Sequence, residues 1–382
     1  MKLLDICEAI VDCPHSTAKD EGTGYPLIRT PNVGKGRLKL AGVHRVSENV
    51  YNLRNERAVP QVDDLILARE APVGNVAIIR QGQQVCLGQR TVLIRPNKEC
   101  VDPDFLVYYL LSPKLQHKLL SSANGATVSH LNMSSIRSLE VQVPDIEVQK
   151  RIGAILARID DKIELNTAIN ENLEQQAQAL FKNLIADIHE RVPFTSVIQV
   201  LGGGTPKTGK QEYWNGEIPF FTPKDVGTSY VLTTEKNITP LGLDNCNSRL
   251  YPVNTVFLTA RGTVGKVSLA GVPMSMNQSC YALAGKDGLH QIIVYHYVLE
   301  TVKALKHKAS GAVFDAIITR DFDTESVPAL SSEQIDSFIA VAEPIYSDIL
   351  NRTIENQRLA ALRDTLLPKL MNGEIDVSAV QI

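Results

Sequence analysis

The strongest constraint on how this chain can fold is that its two halves carry the same short patterns in the same order. Pro26-Leu27-Ile28-Arg29-Thr30-Pro31-Asn32-Val33-Gly34 returns as Pro219-Phe220-Phe221-Thr222-Pro223-Lys224-Asp225-Val226-Gly227. Leu67-Ala68-Arg69-Glu70-Ala71-Pro72-Val73-Gly74 returns as Leu258-Thr259-Ala260-Arg261-Gly262-Thr263-Val264-Gly265. Asn124-Gly125-Ala126-Thr127-Val128 returns as Ser310-Gly311-Ala312-Val313-Phe314. Each displacement is close to half of the 382 residues. A chain made of two similar halves approximates a two-fold object without dimerising, and two-fold symmetry is widely used to read paired DNA half-sites.

A second repeat has a different period. From Ile152 the apolar residues follow a heptad, with Ile152, Ile159, Asn166, Leu173 and Leu180 in d-like places and Leu156, Ile163, Asn170, Ala177 and Leu184 in a-like places. Phe338, Ile345, Arg352, Leu359 and Leu366 match the first set, and Ala342, Ile349, Asn356, Arg363 and Leu370 the second, with the polar interruption again in the middle. The two helices should start near Glu147 and Glu333, and Asn372-Gly373 supplies a C-terminal cap for the second. A helix of roughly 38 residues would be about 57 Å long at 1.5 Å per residue. If the helices run antiparallel, Asn166 meets Asn356 and Asn170 meets Arg352, a polar pocket expected to fix register.

The remaining segments read as strand-rich. Val76-Ala77-Ile78-Ile79 and Val92-Leu93-Ile94 are apolar bursts between Gly, Pro and Asn turns, with one helix over about 103–121 and its counterpart near 289–308. The expected fold is α+β: two β-rich mixed domains separated by two long helices packed as an antiparallel coiled coil, in a pseudo-two-fold repeat. The expected boundaries are 1–145 and 189–330 for the globular domains, 146–188 and 331–376 for the helices, and 377–382 for a tail.

Composition narrows the function. An apolar fraction of 44% and a charged fraction of 21% describe a folded protein of ordinary kind. Acidic residues interrupt the first apolar stretch, and no apolar run reaches membrane-spanning length, so a cytoplasmic protein without a membrane partner is expected. The six cysteines lie far apart with no C-x-x-C pair, which points to reduced, packed thiols and to no metal site. The net charge of −3 weighs against a chain that grips DNA by bulk electrostatics alone; positive charge must gather on one face, or a partner must add to the grip.

Catalytic motifs fail on inspection. Gly204-Thr205-Pro206-Lys207-Thr208-Gly209-Lys210 fits G-x-x-x-x-G-K, but Gln211 stands where a P-loop needs Ser or Thr, and a turn follows where it needs a helix. Pro144-Asp145-Ile146-Glu147-Val148-Gln149-Lys150 imitates a nuclease metal centre with the wrong Glu-to-Lys spacing. There is no dinucleotide loop, no N-P-P-[FY] or D-P-P-[FY], and no metal spacing among the eight histidines. What remains are loop side chains suited to base edges and phosphates. They are Arg29, Thr30, Asn32, Lys35, Arg69, Gln89 and Arg90 in the first half, and Lys207, Lys210, Trp214, Lys224, Arg261, Lys266, Asn277 and Gln278 in the second.

Taken in order, these strings resemble the specificity subunit of type I restriction–modification systems. The second half carries Gly203-Gly204-Thr205-Pro206, Tyr213-Trp214, Ile218-Pro219, Thr222-Pro223-Lys224-Asp225, Arg261-Gly262-Thr263-Val264-Gly265 and Asn277-Gln278-Ser279. The first carries Asp12-Cys13-Pro14-His15-Ser16-Thr17 and Tyr25-Pro26-Leu27-Ile28-Arg29-Thr30-Pro31-Asn32. The likeness covers almost the whole chain. It implies two target recognition domains, each reading one half of a split duplex DNA sequence, and two helices that set the spacer. It also implies catalysis on partners: two adenine methyltransferase subunits using S-adenosylmethionine, and a restriction subunit that translocates DNA with ATP and magnesium. No cofactor is then expected on this chain. One junction departs from the family's Pro-Pro then Glu-Gln pattern, since Pro328-Ala329-Leu330-Ser331-Ser332-Glu333-Gln334 precedes the second helix. The competing reading is a structural adaptor whose domains read no DNA.

Overall fold

A computed structural model describes residues 1–121, 130–308 and 315–380. The third repeated block, Asn124–Val128 and Ser310–Phe314, lies outside the described residues. The chain divides into two compact units, Met1–Glu164 with Gln357–Ile382 and Leu165–Asn356, so each unit owns part of both long helices.

In the first unit a five-stranded sheet runs in the order Cys7–Asp12, Thr91–Pro96, Leu65–Ala68, Val76–Ile78, Gly36–Arg37. All pairs are antiparallel except the last. Beside it lies a small sheet of Arg45–Val46, Tyr25–Ile28 and Cys86–Leu87. The second unit repeats the scheme: Ile198–Gly202, Cys280–Gly285, Val256–Thr259, Val267–Ala270, Tyr230–Val231, with the last pair again parallel. Its small sheet holds Asn237–Ile238, Trp214–Phe221 and Ser275–Met276. The repeat seen in sequence is therefore a repeat of strand order.

The central strands, Leu65–Ala68 and Val256–Thr259, are buried throughout and almost wholly apolar because both faces of the sheet are covered. Successive side chains point to opposite faces. Accordingly Leu65 and Leu67 enter the core under the helices, while Ile66 and Ala68 enter the core toward the small sheet. Val256 and Leu258 against Phe257 repeat this split in the second unit.

The helix expected over 103–121 is two helices, Pro103–Leu111 and Pro113–Ser121. The residue before a proline is driven out of helical geometry, and Ser112 sits at φ −63°, ψ 147°. Its counterpart, Gln291–Lys308, has no internal proline and runs unbroken.

The long helices are Ile146–Ile185 and Ser332–Met371. The unorthodox junction before the second is a reciprocal cap: Gln334 donates its backbone N–H to Ser331 Oγ at 3.3 Å, and Ser331 donates its own to Gln334 Oε1 at 2.9 Å. Gly373, at φ 73°, closes the other end. The strict heptad gives way where the helices enter the domain cores. Leu180, placed on the stripe by sequence, is exposed, and Phe181 is buried against His296, Tyr297 and Phe338. Ile159 and Ile345 are only half-buried, whereas Asp160 and Tyr346, one position on, are buried in both repeats. Packing on a domain follows the 3.6-residue period of a straight helix rather than the 3.5 of a supercoil.

Within the second unit the helix pair is antiparallel. Asn166, fully buried, donates to Glu355 Oε2 at 2.7 Å and Asn356 Oδ1 at 2.9 Å, and accepts from Arg352 Nη1 at 3.3 Å. Asn170 faces Thr353 and the Ile349 carbonyl rather than Arg352, because Arg352 turns one step along to Asn166 and Asp348. The first unit holds its own antiparallel contact, Arg363 on Asp160 at 2.7 Å.

Candidate nucleic-acid interface

In the second unit, strand Trp214–Phe221 lies between Asn237–Ile238 and Ser275–Met276, so the loops leaving these strands meet at one edge. They enclose a pocket of about 410 Å³. Its floor is Trp214, packed edge-on to Phe220 at 5.5 Å, together with Pro223. Lys224, Lys236, Asn277 and Gln278 stand around it. Lys236 Nζ lies 5.6 Å from the centre of the Trp214 ring, a cation–π distance. Asn277 Oδ1 accepts the Ser279 N–H at 3.0 Å, and Gln278 Oε1 accepts the Thr205 hydroxyl. Among the described residues neither amide NH2 has a partner, while both acceptors are held.

Arg261 is exposed and makes no side-chain hydrogen bond or ion pair among the described residues. A Cβ added at its neighbour Gly262, at φ +81°, would lie 3.7 Å from Pro223 Cβ, so this loop runs past a residue that lines the pocket. Lys207 is tethered through its carbonyl, which accepts from Trp214 Nε1 at 3.3 Å. Lys210 pairs with Glu212 at 3.4 Å and lies 5.2 Å from the Tyr213 ring centre. After Lys210 come only a single 3-10 turn, Gln211–Tyr213, and then a strand, so no α-helix begins after that loop. Lys266 lines a neighbouring cleft beside the long helices, which shares Pro223 and Lys224 with the Trp214 pocket.

In the first unit Arg69, Gln89 and Arg90 converge with His15 and Glu70 around a pocket of about 310 Å³. Here most groups are held. Arg69 donates to the Leu131 carbonyl and to Asp12 at 2.7 Å each. Arg90 pairs with Glu70 at 2.8 Å while remaining largely exposed, and Gln89 donates to the His15 carbonyl at 2.5 Å. Thr30 and Asn32 are buried: Thr30 Oγ1 donates to the Ala71 carbonyl of another loop at 3.2 Å, and Asn32 bonds the Lys39 carbonyl and the Arg29 N–H of its own turn. Arg29 packs its stem near Gly88, with a buried Nε. Lys35 is exposed beside Asn75 and Gln116, away from the Arg69 group.

The family described as the type I restriction modification DNA specificity domain matches residues 1–175 and again 190–338, once per repeat. The chain belongs to the family of type I restriction–modification specificity subunits. It is 25% identical to the type I restriction enzyme HindI specificity subunit of Haemophilus influenzae, over 92% of this chain and 95% of that one. It is 33% identical to the EcoR124I/EcoR124II specificity subunit of Escherichia coli over 58% of this chain and 60% of that one. Among solved structures, a type I S subunit from M. genitalium shares its fold, with a TM-score of 0.55 at 14% identity, over 97% of this chain and 95% of that one.

Sequence reasoning missed several members of the specificity-subunit surfaces. Lys236 reaches Trp214 only because Asn237–Ile238 pairs with the Trp214 strand, and no local pattern announces that pairing. Glu70 and Asp12, which hold Arg90 and Arg69, were legible as acids next to those motifs but not as their partners. No helix among the described residues is long and apolar enough to cross a membrane.

Proposed function

We propose that this specificity subunit is the non-catalytic reader of a bipartite duplex DNA target, each repeat unit reading one half. In the second unit Lys224, half-buried Asn277 and exposed Gln278 around Trp214, with exposed Arg261 on a nearby loop, suit purine edges and phosphates. Arg90, Gln89 and Arg69 form the counterpart in the first. The long helices, continuous through both units, set the half-site separation and dock two adenine methyltransferase subunits. Those partners hold S-adenosylmethionine, and a restriction subunit, where present, holds ATP and magnesium. The complex works in the cytoplasm, and its partners add to the grip of a chain whose own charge is −3.

One observation carries this reading. Gln89-Arg90 and Gln278-Ser279 occupy corresponding points of the same strand order, directly preceding Thr91–Pro96 and Cys280–Gly285, and each has an arginine close by on the loop after Leu65–Ala68 or Val256–Thr259, with Arg261 one position beyond the counterpart of Arg69. The test is long-read mapping of methylated adenines in cells with and without the gene, its methyltransferase being present. The expected result is a split motif that disappears with the gene. Unchanged methylation, with the complex still assembled, would favour the adaptor reading.

A further inference from the structure

The second unit contains a cleft of about 1040 Å³ between the helix Gln291–Lys308, the loop Thr263–Lys266 and the long helices. Lys266, Lys303 and Lys306 line its domain wall, and no carboxylate pairs with any of the three among the described residues. Glu174, on the facing helix, accepts the Tyr295 hydroxyl at 2.8 Å and the Ser229 hydroxyl on its other oxygen, and exposed Glu171 stands one turn away. Lysines crowded without counter-ions are a cost to the fold, and burial together with the charge of Lys266 draws the Lys306 ammonium below its ordinary range.

The first unit builds the same clamp with no charge at the three corresponding positions. Lys306 Nζ donates to the Gly265 carbonyl at 2.8 Å, and Gln116 Nε2 makes the same bond to the corresponding Gly74 carbonyl at 2.8 Å. Both glycines have positive φ, and an added Cβ would come 2.5 Å from Lys306 Cε or 2.7 Å from Gln116 Oε1. Asn75 follows Gly74 where Lys266 follows Gly265, and Pro113 stands three residues before Gln116 where Lys303 stands before Lys306. The same glycine clamp is thus held once by neutral Gln116, beside Asn75 and Pro113 in a crease of about 170 Å³ that Lys35, Arg363 and Asp364 also line, and once by Lys306, beside Lys266 and Lys303 in a far larger cleft that Lys224 also lines.

We infer that the cleft of the second unit is a phosphate-binding site formed by Lys266, Lys303 and Lys306. The phosphate is a phosphodiester of the DNA outside the base-reading pocket, or that of a free nucleotide or phosphate. The DNA source rests on the function proposed above.

The test uses the full chain assembled with its methyltransferase subunit and the variant Lys266→Asn, Lys303→Gln, Lys306→Gln. Two of these changes copy the first unit, so the clamp on Gly265 is retained. With DNA as the source, the slope of log affinity against log salt falls by roughly 0.9 per lost phosphate contact, about 2 to 3 in all. The fall is equal for target and scrambled duplexes, and base preference does not change. If that slope is unchanged but pyrophosphate binding, read by calorimetry, weakens at least tenfold in the variant, the site serves free phosphate. If neither changes, the inference is overturned. A wild-type complex that prefers no duplex sequence would instead refute the proposed function, and the pyrophosphate comparison would still decide the cleft.

Discussion

His296 offers a measurement that isolates one residue. It is 2% exposed, stacked on Phe181 at 4.6 Å, with Nε2 3.1 Å from the Tyr346 hydroxyl. Burial alone lowers its pKa from 6.5 to about 3. Because the folded value lies below the unfolded one, the neutral ring stabilises the fold fully above pH 6.5. That contribution falls as pH drops and is lost by pH 3. Protonation of the unfolded chain then removes about 2 kcal/mol between pH 7 and pH 5, and any folded value below about 4 gives the same loss. The variant His296→Phe keeps the stack on Phe181 but leaves the Tyr346 hydroxyl without its partner, a penalty of about 1–3 kcal/mol that does not vary over this range. Trp214, the single tryptophan, lies in the same unit and reports urea unfolding by fluorescence. Wild type should lose about 2 kcal/mol more than the variant between the two pH values, the other titrating groups cancelling in the difference. Equal losses would refute a buried neutral histidine.

Three further outcomes are expected. Arg261→Ala or Gln278→Ala should cost about 1–3 kcal/mol and relax only the half-site read by the second unit, as seen in methylome motifs; equal effects on both halves would end modular readout. Replacing Asn166 and Asn356 together by Leu should raise the melting temperature while broadening spin-label distances between the long helices, and a lower melting temperature with sharp distances would contradict a register role. Arg363→Met should destabilise the first unit by about 3 kcal/mol, since among the described residues it leaves the buried Asp160 carboxylate with Tyr108, at 2.6 Å, as its one hydrogen-bond partner and the Arg37 charge nearby, and Asp160→Asn in the same chain should recover part of that loss; a double-mutant cycle with no coupling would deny the pair its role.

Much of this fold was legible because repetition removes ambiguity. A pattern that occurs twice with its glycines and prolines in place marks the same turns twice, and the strand orders of the two units agree. The helical stripes were legible to within one residue of their start, yet Phe181, Asp160 and Tyr346 were missed. Their burial depends on the domain that each helix end enters, which no heptad encodes. The candidate site was legible in kind and less so in detail. Arg261 and Gln278 stand exposed, whereas Thr30 and Asn32, equally polar, turn inward to satisfy backbone carbonyls, Thr30 that of Ala71 on another loop and Asn32 that of Lys39. A hydrogen-bonding residue beside a glycine reads the same in sequence whether it faces solvent or the chain.

The contact between Asn166 and Arg352 has a consequence for how the halves can differ. These positions correspond under the internal repeat, so the chain meets its own counterpart there at 3.3 Å. Two identical chains joined about a true axis would have to set asparagine against asparagine or arginine against arginine, and the second choice would repel. Fusion into one polypeptide frees the two sides to become complementary. Each half can then drift toward its own partner or its own DNA word while the seam stays matched.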